Sequence, residues 1–219
     1  MAKNYLKRYL WFVIGIAINS LGIAVITKAA LGTSPISSVS YVLSLYFPLT
    51  LGQFTFLVNL IFILAQVVIL KKDFALIQFL QIAVNIVFSV CIDASMTLLN
   101  WFSPNQLGSE LLCLVIGCIV LGLGICIEVA PDVLVVPGEG IVRAIAKVSK
   151  KKFGSVKIAF DITLVLTALI LSLIFFHHIN GLGLGTIVSA LTVGKIVNIF
   201  NQKLPIIPYI SKLRQGETL

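Results

Sequence analysis

Six apolar stretches run through the chain, at about 9–29, 52–70, 76–98, 108–129, 156–176 and 183–201. Each is close to the roughly 20 residues that a helix needs to cross the hydrocarbon core. The pattern therefore predicts six membrane-spanning helices joined by short connections. It is interrupted twice by small residues and a proline. The stretch LGIAVITKAALGTSP (21–35) returns 102 residues later as LGICIEVAPDVLVVP (123–137). The register then holds without a gap through Gly52/Gly154 to Asn59/Asp161. Identities between the copies are few: Leu21/Leu123, Gly22/Gly124, Ile23/Ile125, Pro35/Pro137 and Gly52/Gly154. Spans three and six match only loosely, with a shift of about three residues, and chance similarity of two apolar stretches is the alternative. Each copy holds an odd number of spans, which turns the second copy over in the membrane. The predicted fold is an all-α polytopic membrane protein, one transmembrane domain over 1–219. Its six helices form a three-plus-three inverted repeat, about 9–98 and 108–201.

A short helix is predicted after each break. Ser34 before Pro35 reads as a hydroxyl cap followed by a proline where no amide is needed, opening a helix of about 35–48. Ser34, Ser37, Ser38, Tyr41 and Ser44 share one of its faces, and Thr33 precedes it. The second helix spans about 138–150, with Glu139, Arg143, Lys147 and Lys150 on one face. Glu139 lies at the start, where the free amides favour negative charge, and four residues before Arg143, with which it can pair. A helix broken inside a bilayer exposes amides and carbonyls that protein, water or ligand must satisfy. The segments 30–48 and 131–150 are expected to be re-entrant and to line a site; surface loops with helix caps are the alternative.

Composition agrees with a membrane class. The chain is 59% hydrophobic and 11% charged, with a mean hydropathy of +1.10. Soluble domains average about 25% charged residues, and 24 charged side chains cannot cover a soluble surface. The net charge of +8 does not indicate nucleic acid, because the basic residues cluster at span ends. Lys3, Lys7 and Arg8 precede span one, and Lys71 and Lys72 follow span two. Arg143, Lys147 and Lys150 to Lys152 lie between spans four and five, and Lys203, Lys212 and Arg214 follow span six. The loops near 99–108 and 177–182 carry no Lys or Arg. Six spans put every cluster on one side, so both termini are expected to be cytoplasmic in a bacterial cytoplasmic membrane. The N-terminus reads as the first span rather than a cleaved signal, since its apolar run continues past Ala29. Cys91, Cys113, Cys118 and Cys126 read as buried packing residues with no metal spacing.

The candidate site residues are the polar groups in and beside the apolar spans, where an ionisable group is costly and usually has a role or a partner. Glu139 and Glu128 lead, Glu128 following 17 uncharged residues from 111 to 127. Asp161 and its repeat partner Asn59 come next; Lys157, four residues earlier, is a simple partner for Asp161. Asp93 lies about two-thirds across span three. Lys28 ends span one and can pair with one of these carboxylates. Gln53 and Asn59 are expected to line the same cavity or to bond between helices. Thr33, Ser34 and Ser37 supply hydroxyls at the first break. The glycines at 117, 122, 124, 181, 183, 185 and 194 read as close helix contacts and bends. No phosphate loop, nucleophile elbow or metalloprotease motif is present, and His177 and His178 are expected at the outer face.

The stretches KAALGTSPISSVSYVLS (28–44), LGQFTFLVN (51–59), FLQIAVNIVFSVCID (79–93), VVPGEGIVRAIAK (135–147), FGSVKIAFD (153–161) and GLGLGTIVSALTVGKIV (181–197) carry a resemblance over most of the chain. The chain resembles bacterial integral membrane proteins of the YczE/YyaS/YitT type. That resemblance implies a multi-pass membrane protein and points to transport, without naming a substrate or a binding residue.

The expected function is secondary transport of a small polar or organic solute by alternating access, with Glu128, Glu139 and Asp161 available for proton or cation coupling. Expected partners are the lipid bilayer and a small-molecule or ion substrate, with no cofactor, no metal and no nucleic acid. A homodimer fits a carrier of this size, though no residue pattern specifies it. The alternatives are a binding subunit of a larger vitamin-import complex, which the inverted repeat disfavours, and a non-transporting scaffold. No nucleophile–base pair supports an enzyme.

Overall fold

The computed structural model describes residues 2–215, and side chains from 4 to 213. The side chains of Lys3 and Arg214, two members of the basic clusters, lie outside the described residues. Nine α-helices are found among the described residues: α1 (Ala2–Lys28), α2 (Ser38–Tyr46), α3 (Leu51–Leu70), α4 (Leu80–Leu98), α5 (Leu107–Val129), α6 (Pro137–Ser149), α7 (Phe153–Phe176), α8 (Leu184–Lys203) and α9 (Ile206–Gln215). Six helical segments are long and apolar enough to cross a membrane, at Asn4–Lys28, Leu51–Asp73, Leu76–Leu98, Leu107–Val129, Phe153–Phe176 and Leu184–Lys203. They match the six apolar stretches to within a few residues, because an apolar segment in lipid must satisfy its own backbone and does so as a helix.

The centre of the bundle is an antiparallel pair, α1 against α5, and these are the most buried spans. Glycines set the closeness of this pair. Gly15 lies against the Glu128 backbone, Gly22 against Leu121, Gly124 against Asn19 and Gly117 against Ile26. At each of the four a Cβ would collide with the partner helix. Apolar helices gain nothing from water expulsion inside a bilayer, so close backbone approach at small residues is what holds them. Gly122, Gly183 and Gly185 also sit in tight contacts, as expected, but Gly194 has no neighbour within 4 Å and serves no contact.

Around this pair, α4 packs on α1 and α8 on α5. The short helices cross over between the halves: α2 packs on α7 and α3, and α6 on α3 and α7. After α1 the chain turns at Ala30, in a left-handed conformation (φ 59°), and returns into the bundle. There Pro35–Ser37 forms a 3-10 turn that leads into α2. α2 then runs outward, and Tyr46 stacks on Phe175 at the far end of α7 with ring centroids 4.6 Å apart. The second break behaves alike. Asp132 is left-handed (φ 48°), and Pro137 opens α6. α6 runs back to the end of the bundle that carries the N-terminus, where Lys147 pairs with Asp73 at 2.9 Å. The start of α2 is buried, as are Pro137, Gly138 and Gly140 of α6, so both breaks enter the protein rather than lie on its surface.

The helix α9 has no counterpart among the predicted elements. Its Ile207 and Ile210 are buried against Trp11, Ile14 and Ile18 of α1 and Cys126 and Ile127 of α5. It closes the N-terminal end of the central pair.

Candidate functional site

The second break opens into a cavity of about 770 Å³ at the end of the bundle that carries the N-terminus. Its wall mixes apolar residues, Ile125, Cys126, Val129, Phe153, Val197 and Ile207, with the polar Asp132, Glu139, Arg143, Asn201 and Ser211. Each group arrives by a separate route. The last turns of α5 bring Ile125 to Val129, and the first turns of α6 bring Glu139 and Arg143. Phe153 comes from the start of α7, Val197 and Asn201 from α8, and Ile207 and Ser211 from α9.

Glu139 stands one turn before Arg143 on α6, half-buried, while Arg143 is exposed in the cavity. No ion pair or hydrogen bond joins them, so the expected pairing is corrected: both charged groups line the cavity without bonding each other. Burial pushes the Glu139 carboxyl above its ordinary range; Arg143 and Lys157 oppose that shift, and Asp161 adds to it. The start of α6 is held in place by amides. Gln66 Nε2 donates to the Pro137 carbonyl at 3.3 Å and to Gln81 Oε1 at 3.1 Å. Gly140 lies beneath both glutamines, where a side chain would displace them.

Glu128 is 1% exposed. It sits behind the cavity, at the α1/α5 crossing, and accepts a hydrogen bond from Asn19 Nδ2 at 2.7 Å. Its partner is thus an amide, not the cation expected for a structural ion pair. It lies within electrostatic reach of Glu139 and Arg143. Asp161 pairs with Lys157 on its own helix, and is within electrostatic reach of Glu139. These three carboxylates and Arg143 form one electrostatic group around α6.

The other candidates are elsewhere. Lys28 reaches no carboxylate; its Nζ is 3.5 Å from Asn100 Oδ1 at the opposite end of the bundle, because α1 ends there while Glu128, Glu139 and Asp161 gather at the other end, and Asp93 is held by Gly52 and Thr50. Asp93 caps α3: its carboxylate accepts from the Gly52 amide at 2.8 Å and from the Thr50 hydroxyl at 2.6 Å. Gln53 belongs to the capping box of the same helix and lines a separate small cavity with Leu49, Phe56, Leu57, Ile86 and Ser89. Asn59 bonds across to Asn85 at 2.8 Å and fastens α3 to α4. Ser34 makes no side-chain cap; its hydroxyl donates to Ser37 Oγ at 3.0 Å instead. Thr33 joins three elements, touching Thr27 Oγ1 at 2.8 Å and donating its amide to Thr186 Oγ1 at 3.2 Å. Asn19, Gln66, Gln81 and Asn85 were not among the candidates. Their signal was an amide inside an apolar span, where a partner on a neighbouring helix is the expected solution.

The Asp93 cap yields a direct prediction. Asp93→Ala strips two bonds from the start of α3 and is expected to lower stability by about 1–3 kcal/mol. The fall is read in the unfolding temperature of the purified protein. An unchanged unfolding temperature would remove Asp93 from this structural role.

Among the described residues no group of three or more His, Cys, Asp or Glu side chains is placed to hold a metal ion. No solved structure matches the chain. A curated relative from Bacillus subtilis (strain 168), named "Uncharacterized protein YyaS", is 28% identical over 212 residues, which cover 95% of this chain and 99% of the relative. The YyaS part of the sequence resemblance thus spans both proteins almost end to end. The family described as "Family of unknown function (DUF6198)" matches residues 6–202, and this multi-pass membrane protein belongs to it.

Proposed function

We propose that the protein is a secondary carrier for a small polar or organic solute, built as a three-plus-three inverted repeat and working by alternating access. The observation that carries this reading is that shifting residue numbers by 102 turns contacts into contacts. Gly15 on Glu128 corresponds to Gly117 on Ile26, and Gly22 on Leu121 to Gly124 on Asn19. Ile36 touches Gly138, its own repeat partner, as a residue beside a twofold axis does. The left-handed turns at Ala30 and Asp132 differ by the same offset, as do the starts of α3 and α7. Packing of α4 on α1 matches α8 on α5, and α2 on α7 matches α6 on α3. Two apolar stretches that were alike only by chance would have no reason to share backbone turns and contact partners.

In this reading the charged cavity is the solute site as seen from the cytoplasm, the side on which positive-inside topology puts the basic residues. Glu139 and Arg143 contact solute. Glu128 and Asp161 sit behind them, where proton or cation binding would alter the charge of the site. Solute and coupling ion change the relative stability of inward- and outward-open states only as far as they bind one better than the other. A homodimer remains compatible with the exposed apolar faces of α7 and α8.

The test is thermal unfolding of purified protein across metabolites, ions and pH, repeated on Glu139→Gln and Glu128→Gln. A solute that stabilises the parent and not Glu139→Gln supports the site and supplies a substrate for liposome uptake. The pH series has a defined sign. A carboxyl whose folded pKa is raised contributes stability in full below its ordinary 4.5 and loses it as pH rises through the raised value. The parent should therefore lose stability relative to Glu139→Gln as pH climbs above 4.5. No solute response, with parent and variants equally insensitive to pH, would favour a scaffold or a subunit of a larger importer.

A further inference from the structure

The two halves differ in one respect. α3 packs along α4, whereas α7 and α8 make no contact of comparable extent, and the charged cavity opens between their N-terminal and C-terminal portions. The reason is visible in the side chains. α3 is fastened to α4 by Asp93 on Gly52 and Thr50, by Asn59 on Asn85 and by Gln66 on Gln81. On α7 the repeat partner of Asn59 is Asp161, which pairs within its own helix, and that of Gln66 is Ala168. The clasp that closes one half has no equivalent in the other.

The residues that line the open cavity have repeat partners at the opposite end of the bundle, and there the space is shut. Ile125, Val129, Glu139, Arg143 and Phe153 correspond to Ile23, Thr27, Ser37, Tyr41 and Leu51. Of these, Ile23, Thr27, Ser37 and Leu51 are 1%, 4%, 2% and 5% exposed, and Tyr41 packs on the cluster that contains Ile23 and Leu51. The polar members satisfy one another or the backbone: Thr27 bonds the Ile23 carbonyl and Thr33, and Ser37 bonds Ser34.

We propose that the protein contains a second, closed solute vestibule at the end away from its N-terminus, lined by Thr27, Ser37 and Tyr41 and opened when α3 parts from α4. This rests on the carrier reading and adds the missing half of its cycle. The two vestibules differ in chemistry. Ser37 and Tyr41 stand where Glu139 and Arg143 stand, so at these positions the closed vestibule recognises the hydroxyls, amides or carbonyls of a polar solute by hydrogen bonds. Its carboxylate is Asp93, which accepts from Gly52 and Thr50 and is released when α3 parts from α4. The open cavity instead presents a carboxylate and a guanidinium together on α6.

The test is sided labelling in sealed membranes. Thr27→Cys and Ser37→Cys, two small exchanges, are treated with a membrane-impermeant thiol reagent from the side on which Ser103→Cys reacts; the parent gives the background of its four cysteines. If the outward-open form is a minor state, both positions label about 10- to 1000-fold more slowly than Ser103→Cys, the range set by a 0.1–10% population. Adding the pair Asn59→Cys and Asn85→Cys and oxidising it should abolish that labelling and leave Ser103→Cys unaffected. Tyr41→Cys serves if either small exchange fails to give a monodisperse protein. No labelling above the parent overturns the proposal, and so does labelling that survives the cross-link. A solute response through Glu139 without labelling would reject the vestibule and leave the binding site standing. Labelling without a solute response would do the reverse.

Discussion

Gly124→Val should leave little folded protein. A Cβ at Gly124 would meet the backbone of Asn19 and, at 2.8 Å, the carbonyl carbon of Ile18. The obstruction is main chain on both helices, so no side chain can rotate away. The same holds for Gly15 against Glu128 and Gly22 against Leu121. Overpacking of an ordinary core costs about 1–3 kcal/mol. Here relief requires separating α1 from α5, the pair on which α4, α8 and α9 all rest, so the loss should exceed about 3 kcal/mol. Unfolding temperature and size-exclusion profile of the detergent-solubilised protein read the effect. Gly194→Ala is the control. With nothing within 4 Å in the middle of α8, it should be neutral or stabilise by up to about 1 kcal/mol from helix propensity. A Gly124→Val protein that melts like the parent would disprove the close α1/α5 crossing.

Asn19→Leu should be the most damaging change of a side chain at the crossing. Glu128 is enclosed by α1 and α5, and the Asn19 amide is its hydrogen-bond donor. Interhelical hydrogen bonds in membranes average only about 0.6 kcal/mol. Removing the donor while the carboxyl stays is a different matter, because it leaves a buried polar group unsatisfied, at about 1–3 kcal/mol. Glu128→Gln keeps an oxygen for Asn19 to donate to and should cost less than Asn19→Leu. The double variant Asn19→Leu/Glu128→Leu should recover part of the loss, since neither partner is then stranded. Equal melting of Asn19→Leu and the parent would mean that Glu128 finds another donor. The order of the three variants separates a structural Glu128 from one kept for solute, which would show little change in melting and a lost solute response.

Much of the architecture was legible in the chain because bilayer physics leaves few choices. An apolar stretch of about 20 residues must be a helix, so span positions agreed closely with those found. Pro35 and Pro137 marked the starts of the inserted segments because, within a helix, proline fits the first turn and disrupts the interior. Glu139 stood out in the sequence as a charge beside a break in apolar surroundings, and the structure places it on the wall of the cavity. Other assignments failed where they depended on which ends of the helices meet. Lys28 could be read as a partner for a carboxylate only while its end of α1 was unknown. Asp93 sits in an apolar span like a functional acid, yet the start of α3 lies across from it and takes both its oxygens. The helix α9 was missed because Ile207 and Ile210 have meaning only once Trp11 and Ile127 are brought beneath them.

The sequence by itself determined that this is a six-span membrane protein with two inserted breaks, because hydropathy, proline and the placement of charge act locally and are read along the chain. Only the tertiary structure decided which amide answers Glu128, that Glu139 and Arg143 stand unpaired in one cavity, and that α3 is clasped to α4 while α7 stands apart from α8. Those outcomes depend on contacts between residues far apart in the chain, where a glycine permits approach or an amide finds its partner. Side-chain type alone does not encode them.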